Sequence, residues 1–298
     1  MEELWDLLPP KVSRALVSLS PEEAAGLTEI RLRVGQAILF ETAEREYGIR
    51  EGKLTKTDGE LFTREEADWF WKRLCRDAPY GYLKEQRAGY ITVGGHRVGF
   101  TGVFGADGTE VQTVGSFCVR ICREIIGCGI EVYPKLWENG RMLNTLLVSP
   151  PGCGKTTLLR DLIRLASGDG CSVSVADERE EIAAPKDGRP SLHLGKRTDV
   201  LWGMEKSKAA ELLVRAMRPD VLAMDELGSR ADREAAERAM TMGVTLLATA
   251  HGRTWEDAVK RLKLPFERYI VLDNAFGVGH IAGVLGENGR PIEPCRRS

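Results

Sequence analysis

No stretch of this sequence approaches the roughly 20 consecutive apolar residues that a membrane-spanning helix needs, so the chain is not expected to cross a bilayer by itself. A secretory leader is not expected either, because the opening MEELWDLLPP is acidic and has no basic segment ahead of an apolar one. Excess charge of one sign is also missing. With 42 basic and 44 acidic residues the formal net charge is −2, which removes any global electrostatic case for nucleic acid and leaves only a local patch. Internal repeats and low-complexity tracts are lacking. Cysteine numbers seven, an odd count. Reduced thiols in a cytosol fit that better than a disulfide framework. Cys118, Cys122 and Cys128 lie close together, but their spacing matches no common zinc pattern and no histidine joins them. They read as buried free thiols.

What the sequence does contain is organised around LLVSPPGCGKTTLLR, Leu146 to Arg160. An apolar run, Thr145 to Val148, reads as a buried strand. A loop of small residues follows: Ser149, Pro150, Pro151, Gly152, Cys153 and Gly154. Lys155, Thr156 and Thr157 come next, and Leu158, Leu159, Leu162 and Ile163 then recur at helical spacing. Strand, glycine loop, Lys-Thr and helix in that order make a phosphate cradle. Backbone N–H groups of the loop point at phosphate oxygens, and the helix adds its positive N-terminal end. Lys155 is expected on the β- and γ-phosphates of ATP, and the Thr156 hydroxyl on Mg²⁺. One position departs from the strict pattern: five residues before Gly154, where glycine is usual, the chain has Ser149.

At 298 residues the chain is long enough for two domains. Residues 1–130 read as a mixed α+β domain, 131–143 as a linker and 144–298 as the nucleotide domain. In the first part, residues 11–19 have helical spacing, and Ser20 with Glu23 and Thr63 with Glu66 form two capping boxes. Ile30, Leu32 and Val34 alternate with Arg31 and Arg33 in a strand with a basic face. Short strands are expected at Ile38 to Phe40 and Tyr47 to Ile49, a hairpin at Tyr90 to Phe100, and a turn at Gly105-Ala106-Asp107-Gly108. Phe117, Val119 and Ile121 alternate in a further strand. Beyond the phosphate loop, strands at 172–176, 220–224 and 244–249 alternate with helical patterns. That alternation argues for a parallel sheet covered on both faces. Residues 183–206 show no periodicity and read as a long loop. The tail reads as strands with a turn at Asn288-Gly289.

The polar groups that end the strands carry the chemistry, because ligands on open α/β sheets sit at the carboxyl ends of strands. Asp225 is placed to hold Mg²⁺, directly or through water, and Glu226 to polarise the attacking water. His251 ends the next strand and is placed to sense the γ-phosphate or to couple it to a neighbouring subunit. In the cluster Asp177-Glu178-Arg179 the acids are candidates for ordering the metal's water shell or the attacking water. An arginine finger is sought among Arg97, Arg120, Arg123, Arg230, Arg233 and Arg253. Arg120 and Arg123 are favoured, since the strand places Arg120 opposite its apolar face.

These segments together resemble a known family. SPPGCGKTTLLRD, VADEREEIA, GKRTDVL, RPDVLAMDELG and LLATAHG, with EIRLRVGQAI, GYITVGGHRVGFTG and FCVRICREIIG ahead of them, resemble stage III sporulation protein AA over roughly residues 28 to 285. That family is similar to the hexameric ATPases of type II and type IV secretion. The resemblance implies an α/β fold with a RecA-like P-loop NTPase core behind an N-terminal mixed α+β domain. It matches Ser149 to Thr156 to the phosphate loop, Asp177 to Glu181 to an acidic box, Asp225-Glu226 to the magnesium-binding strand end and His251 to a histidine box. It also implies a cytoplasmic, ring-forming motor in the mother cell of an endospore former. Such a motor would attach to a membrane through channel proteins of a sporulation secretion complex. Two other readings share the fold. A nucleic-acid-dependent ATPase of the RecA or helicase-loader type predicts a basic groove with stacking aromatics, for which the chain offers little beyond Arg31, Arg33 and Arg97. A nucleotide-dependent scaffold predicts assembly without turnover.

Overall fold

The computed structural model describes residues 2–42, 45–56, 59–76, 82–106, 108–121, 124–186 and 188–292. The chain divides into two compact units, Met1–Cys122 and Arg123–Ser298.

The first unit opens with three short helices, α1 (Glu2–Leu7), α2 (Pro10–Val17) and α3 (Pro21–Gly26). Ser20 caps α3 with the reciprocal Glu23 bond, as the spacing predicts. Strands β1 (Leu27–Arg33), β2 (Leu39–Thr42), β3 (Glu46–Arg50) and β4 (Lys53–Thr55) follow, then α4 (Arg64–Leu74), capped by Thr63 with Glu66. A helix absent from the sequence reading, α5 (Leu83–Ala88), precedes β5 (Tyr90–Val93), β6 (His96–Phe104) and β7 (Val111–Arg120). The residues of α5, LKEQRA, have too few apolar positions to display a period. The strands form one antiparallel sheet in the order β4-β3-β2-β1-β7-β6-β5. Ile30, Leu32, Phe117 and Val119 pack with Val12, Ala15, Phe70 and Leu74 in one core. The intervening Arg31, Arg33 and Arg120 fall on the other face, as strand alternation requires. Of the expected turn at 105–108, Asp107 lies outside the described residues.

The second unit begins earlier than the expected boundary at 144. Gly129 donates its N–H to the buried Asp161 carboxylate (2.7 Å). Val132, Tyr133 and Leu136 are buried with the leucines of the helix after the phosphate loop. The segment read as a linker holds a hairpin, β8 (Trp137–Glu138) with β9 (Arg141–Met142). Asn139 (φ 51°) and Gly140 (φ 76°) supply the left-handed pair that a two-residue turn needs.

The remaining elements alternate: β10 (Thr145–Ser149), α6 (Lys155–Gly168), β11 (Val173–Asp177), the small hairpin β12 (Pro185–Lys186) and β13 (Arg189–Pro190), β14 (Thr198–Trp202), α7 (Lys206–Met217), β15 (Val221–Met224), α8 (Arg230–Thr241), β16 (Thr245–His251), α9 (Trp255–Leu262), β17 (Arg268–Asp273) and β18 (His280–Gly286). The sheet order is β14-β11-β15-β16-β10-β17-β18, parallel except for the last pair. Strands β10, β11 and β15 are buried at every position; β10 and β15 therefore carry the apolar runs Leu146 to Val148 and Val221 to Met224, whereas β11 interrupts its valines with Ser174 and ends on Asp177. The long loop expected at 183–206 contains β14. This strand lies at the sheet's edge and is half-buried at every position, so it lacks both an apolar run and alternation. No helix among the described residues is long and apolar enough to cross a membrane.

Candidate active site

Strand β16 lies between β10 and β15. This order brings the phosphate loop, which follows β10, and Asp225-Glu226, which follows β15, to either side of His251 at the end of β16. Gly152 (φ 77°) and Gly154 (φ 87°) give the loop its left-handed turns, and α6 begins at Lys155. The Lys155 side chain is buried (6% exposed). Its ammonium donates to the Ser149 carbonyl (3.1 Å), the Ser149 hydroxyl (3.0 Å) and the Pro150 carbonyl (3.0 Å). Ser149, where glycine is usual, thus adds a hydroxyl partner for the lysine. Burial pushes Lys155 below its usual pKa of 10.5, partly offset by the nearby Asp225, Cys153 and Glu226.

The Thr156 hydroxyl donates to Asp225 Oδ2 (2.8 Å), and the Thr249 hydroxyl donates to Asp225 Oδ1. Glu226 is left-handed (φ 51°). Its N–H donates to the Thr249 hydroxyl (2.8 Å) and to Asp225 Oδ1 (3.0 Å). The Lys206 ammonium donates to the carbonyls of both Asp225 and Glu226, 2.6 Å each, and faces Asp232 at 3.7 Å. These bonds over-determine a backbone conformation that a non-glycine residue adopts at a cost of about 1–3 kcal/mol. The Glu226 carboxylate is paired on both oxygens: Oε1 is 2.6 Å from His251 Nε2, and Oε2 pairs with Arg179. The other ring nitrogen of His251 is 3.3 Å from Lys155 Nζ. Burial raises the Glu226 pKa, but Arg179, the His251 bond and Lys206 outweigh it and hold the carboxyl below its usual 4.5. A cavity of about 290 Å³ opens here, lined by Asp177, Glu178, Arg179, Lys206, Asp225, Glu226 and His251 among others.

The structure thus brings Lys155, Thr156, Asp225, Glu226 and His251 together. Asp177 borders that cavity and also has a part that the sequence did not suggest. It is buried, and its oxygens accept the N–H groups of Glu181 (3.0 Å), Ile182 (3.1 Å) and Ala183 (2.8 Å). Those bonds fold the acidic box into a closed turn, which Arg160 reinforces by donating to the carbonyls of Ile182 and Glu181. Burial raises the Asp177 pKa against those three N–H bonds. Glu178 is exposed, and its carboxylate accepts the Lys206 N–H at 3.4 Å.

The arginine beside Glu226 is Arg179, to which the sequence reading gave no role. Arg120 ends β7, exposed and 3.7 Å from Glu29, Arg97 lies over the Tyr90 ring at 3.7 Å, and Arg230 pairs with Glu234. Arg123 lies outside the described residues. Lys206 and Thr249 were also missed; no local signal marks them, since each sits at a position that periodicity assigns to packing.

The profile of the family described as sporulation stage III, protein AA, matches residues 1–292. The chain belongs to the stage III sporulation protein AA family. Stage III sporulation protein AA of Bacillus subtilis (strain 168) is 32% identical over 309 aligned residues, covering 98% of this chain and 97% of the relative. Among solved structures, this family member resembles the pilus retraction motor PilT with bound ADP (TM-score 0.55, 18% identity, 85% of this chain and 78% of that one). It also resembles the Legionella pneumophila ATPase DotB (TM-score 0.54, 14% identity, 80% of this chain and 66% of that one). At such identities the likeness establishes the fold, an α/β chain with a RecA-like P-loop NTPase core.

Proposed function

We propose that this chain hydrolyses ATP and, as a hexameric ring, powers a secretion-like channel complex in the membrane during endospore formation, from the mother-cell cytoplasm. The observation that carries the enzymatic part is the unbroken line Lys155–His251–Glu226, with contacts of 3.3 and 2.6 Å. It joins the lysine of the phosphate loop to an ionised carboxylate. Family membership supports the sporulation setting, and the fold shared with PilT and DotB supports the motor.

In this reading residues 149–157 hold the triphosphate through backbone N–H groups and the N-terminus of α6. Thr156 and Asp225 present one hydroxyl and one carboxylate oxygen 2.8 Å apart. That donor set fits Mg²⁺, which takes one or two protein ligands and fills its other positions with water and phosphate; bound there, the ion would neutralise charge on the β- and γ-oxygens. Glu226 accepts the proton of the attacking water as its oxygen bonds to the γ-phosphorus and the bond to the bridging oxygen of ADP breaks. His251 couples the position of Glu226 to the lysine on the phosphate. Glu178 and Arg179 border the water's approach, and Asp177 fixes the turn that carries them. An arginine from a neighbouring subunit completes the charge, with Arg120 and Arg123 as candidates. Glu29 and Glu41 pair with Arg31, so the basic face of the first unit is partly neutralised, which disfavours single-stranded nucleic acid as the partner.

The test is replacement of the chromosomal copy by Glu226→Gln in a spore-forming host, with the purified protein's mass followed with and without ATP. Blocked spore development together with ATP-dependent assembly supports the motor. Normal spores from a protein without turnover would refute it.

A further inference from the structure

The turn between β17 and β18, Asn274 to Gly279, touches the phosphate loop on the side away from the catalytic carboxylates. Asp225 and Glu226 follow β15 and His251 ends β16, to one side of β10, whereas β17 pairs with the other side of β10. The Gly279 N–H donates to the Cys153 carbonyl (3.2 Å). A Cβ at Gly154 would come within 3.3 Å of the Gly279 backbone, so the phosphate loop and this turn are fitted to one another. The turn is itself tied down. Asp273 Oδ1 accepts the Ala275 N–H (3.0 Å) and lies 2.6 Å from His280 Nδ1, and the His280 ring stands edge-to-face with Phe276 at 4.8 Å. At its tip Phe276 is 86% exposed, the most exposed large apolar side chain among the described residues, and Val278 beside it is 75% exposed.

We propose that Phe276, with Val278, is the platform on which the base of the bound nucleoside triphosphate stacks. The inference rests on the reading of residues 149–157 as a triphosphate cradle. A nucleotide whose terminal phosphate lies between Lys155 and Glu226 runs its ribose and base away from β16, which is toward this turn. An aromatic face fixed at that end takes a base by stacking, a contact open to any base because each has a π-face. Continuity with the loop, through the bond to Cys153, makes the nucleotide the occupant.

The experiment compares the binding of MgATP and of inorganic tripolyphosphate to the full chain by calorimetry, for wild type, Phe276→Ala, Phe276→Tyr and Lys155→Ala. The expected result is that Phe276→Ala weakens ATP by about 5- to 150-fold, the range for one lost base–aromatic stack. Tripolyphosphate stays unchanged, and Phe276→Tyr binds as wild type does. Equal effects of Phe276→Ala on both ligands, or no effect on either, would overturn the platform. So would a changed sedimentation mass with an unchanged ratio of ATP to tripolyphosphate affinity, which would assign Phe276 to a contact between copies. If neither ligand responds to Lys155→Ala, the cradle reading itself fails, and the platform has no occupant.

Discussion

Replacing Lys206 by methionine tests how the backbone at Glu226 is held. The lysine is 8% exposed, and its ammonium serves the Asp225 and Glu226 carbonyls at 2.6 Å each while facing Asp232 at 3.7 Å. Methionine keeps most of the stem's volume and removes only the charged donor. Two hydrogen bonds from a charged group are worth about 1.5–3 kcal/mol each, and breaking a buried ion pair from one side costs about 3–5 kcal/mol. The two routes describe the same loss, so a destabilisation of about 3–5 kcal/mol is expected. In a unit of this size that lowers Tm by roughly 6–20 °C. Urea unfolding of the full chain is the assay, with the midpoint moving and the slope held. Lys206→Arg should recover part of the loss, because it restores the charge with a different donor geometry. Turnover should fall further than stability alone explains, because the φ of 51° at Glu226 loses two of the bonds that hold it. A midpoint for Lys206→Met indistinguishable from wild type would refute the reasoning.

Three further outcomes are expected. Arg179→Ala removes the largest influence holding the Glu226 carboxyl below 4.5. A carboxyl with a lowered folded pKa contributes stability above its unfolded value and loses it as pH falls through the folded one. The variant should therefore lose that contribution at a higher pH, and an NMR titration of Glu226 should show the midpoint rise; an unmoved midpoint would contradict the ion pair. Asp225→Asn and Thr156→Ala should each raise the Mg²⁺ concentration needed for half-maximal ATP turnover, and an unchanged requirement would remove them as ligands. Gly195→Ala should destabilise the second unit by a few kcal/mol, because φ is 87° and the new Cβ would lie 2.5 Å from Ser167 Cβ. Wild-type thermal stability would mean that the 183–206 segment is not seated on α6.

Much of the site was legible because its chemistry sits where apolar runs stop. Val221 to Met224 is buried throughout, so Asp225 and Glu226 stand out as the first polar residues, and His251 stands out as the residue that closes β16. The glycine loop has its own pattern. What the sequence could not display is the arrangement of partners around Glu226. Arg179 was visible only as one charge in an acidic run, and it reaches Glu226 because Asp177 folds the following residues back on themselves. Lys206 opens α7, and Thr249 is a buried position in a β-strand. Their roles depend on β11, β15 and β16 lying side by side, which is pairing between segments far apart in sequence. The first unit was read well where strands alternate. It was missed at α5, which is too short to show a period. The early start of the second unit was hidden because Gly129 and Asp161 are joined by a hydrogen bond, not by any local pattern.

The most direct test of the central claim is phosphate release from MgATP by the full chain, wild type beside Glu226→Gln, with ATP binding measured on the same preparations. The account predicts turnover by wild type and unimpaired binding with a loss of about 10²- to 10⁴-fold in rate for the variant. Equal rates from the two proteins, or a wild type that binds ATP and releases no phosphate, would contradict it.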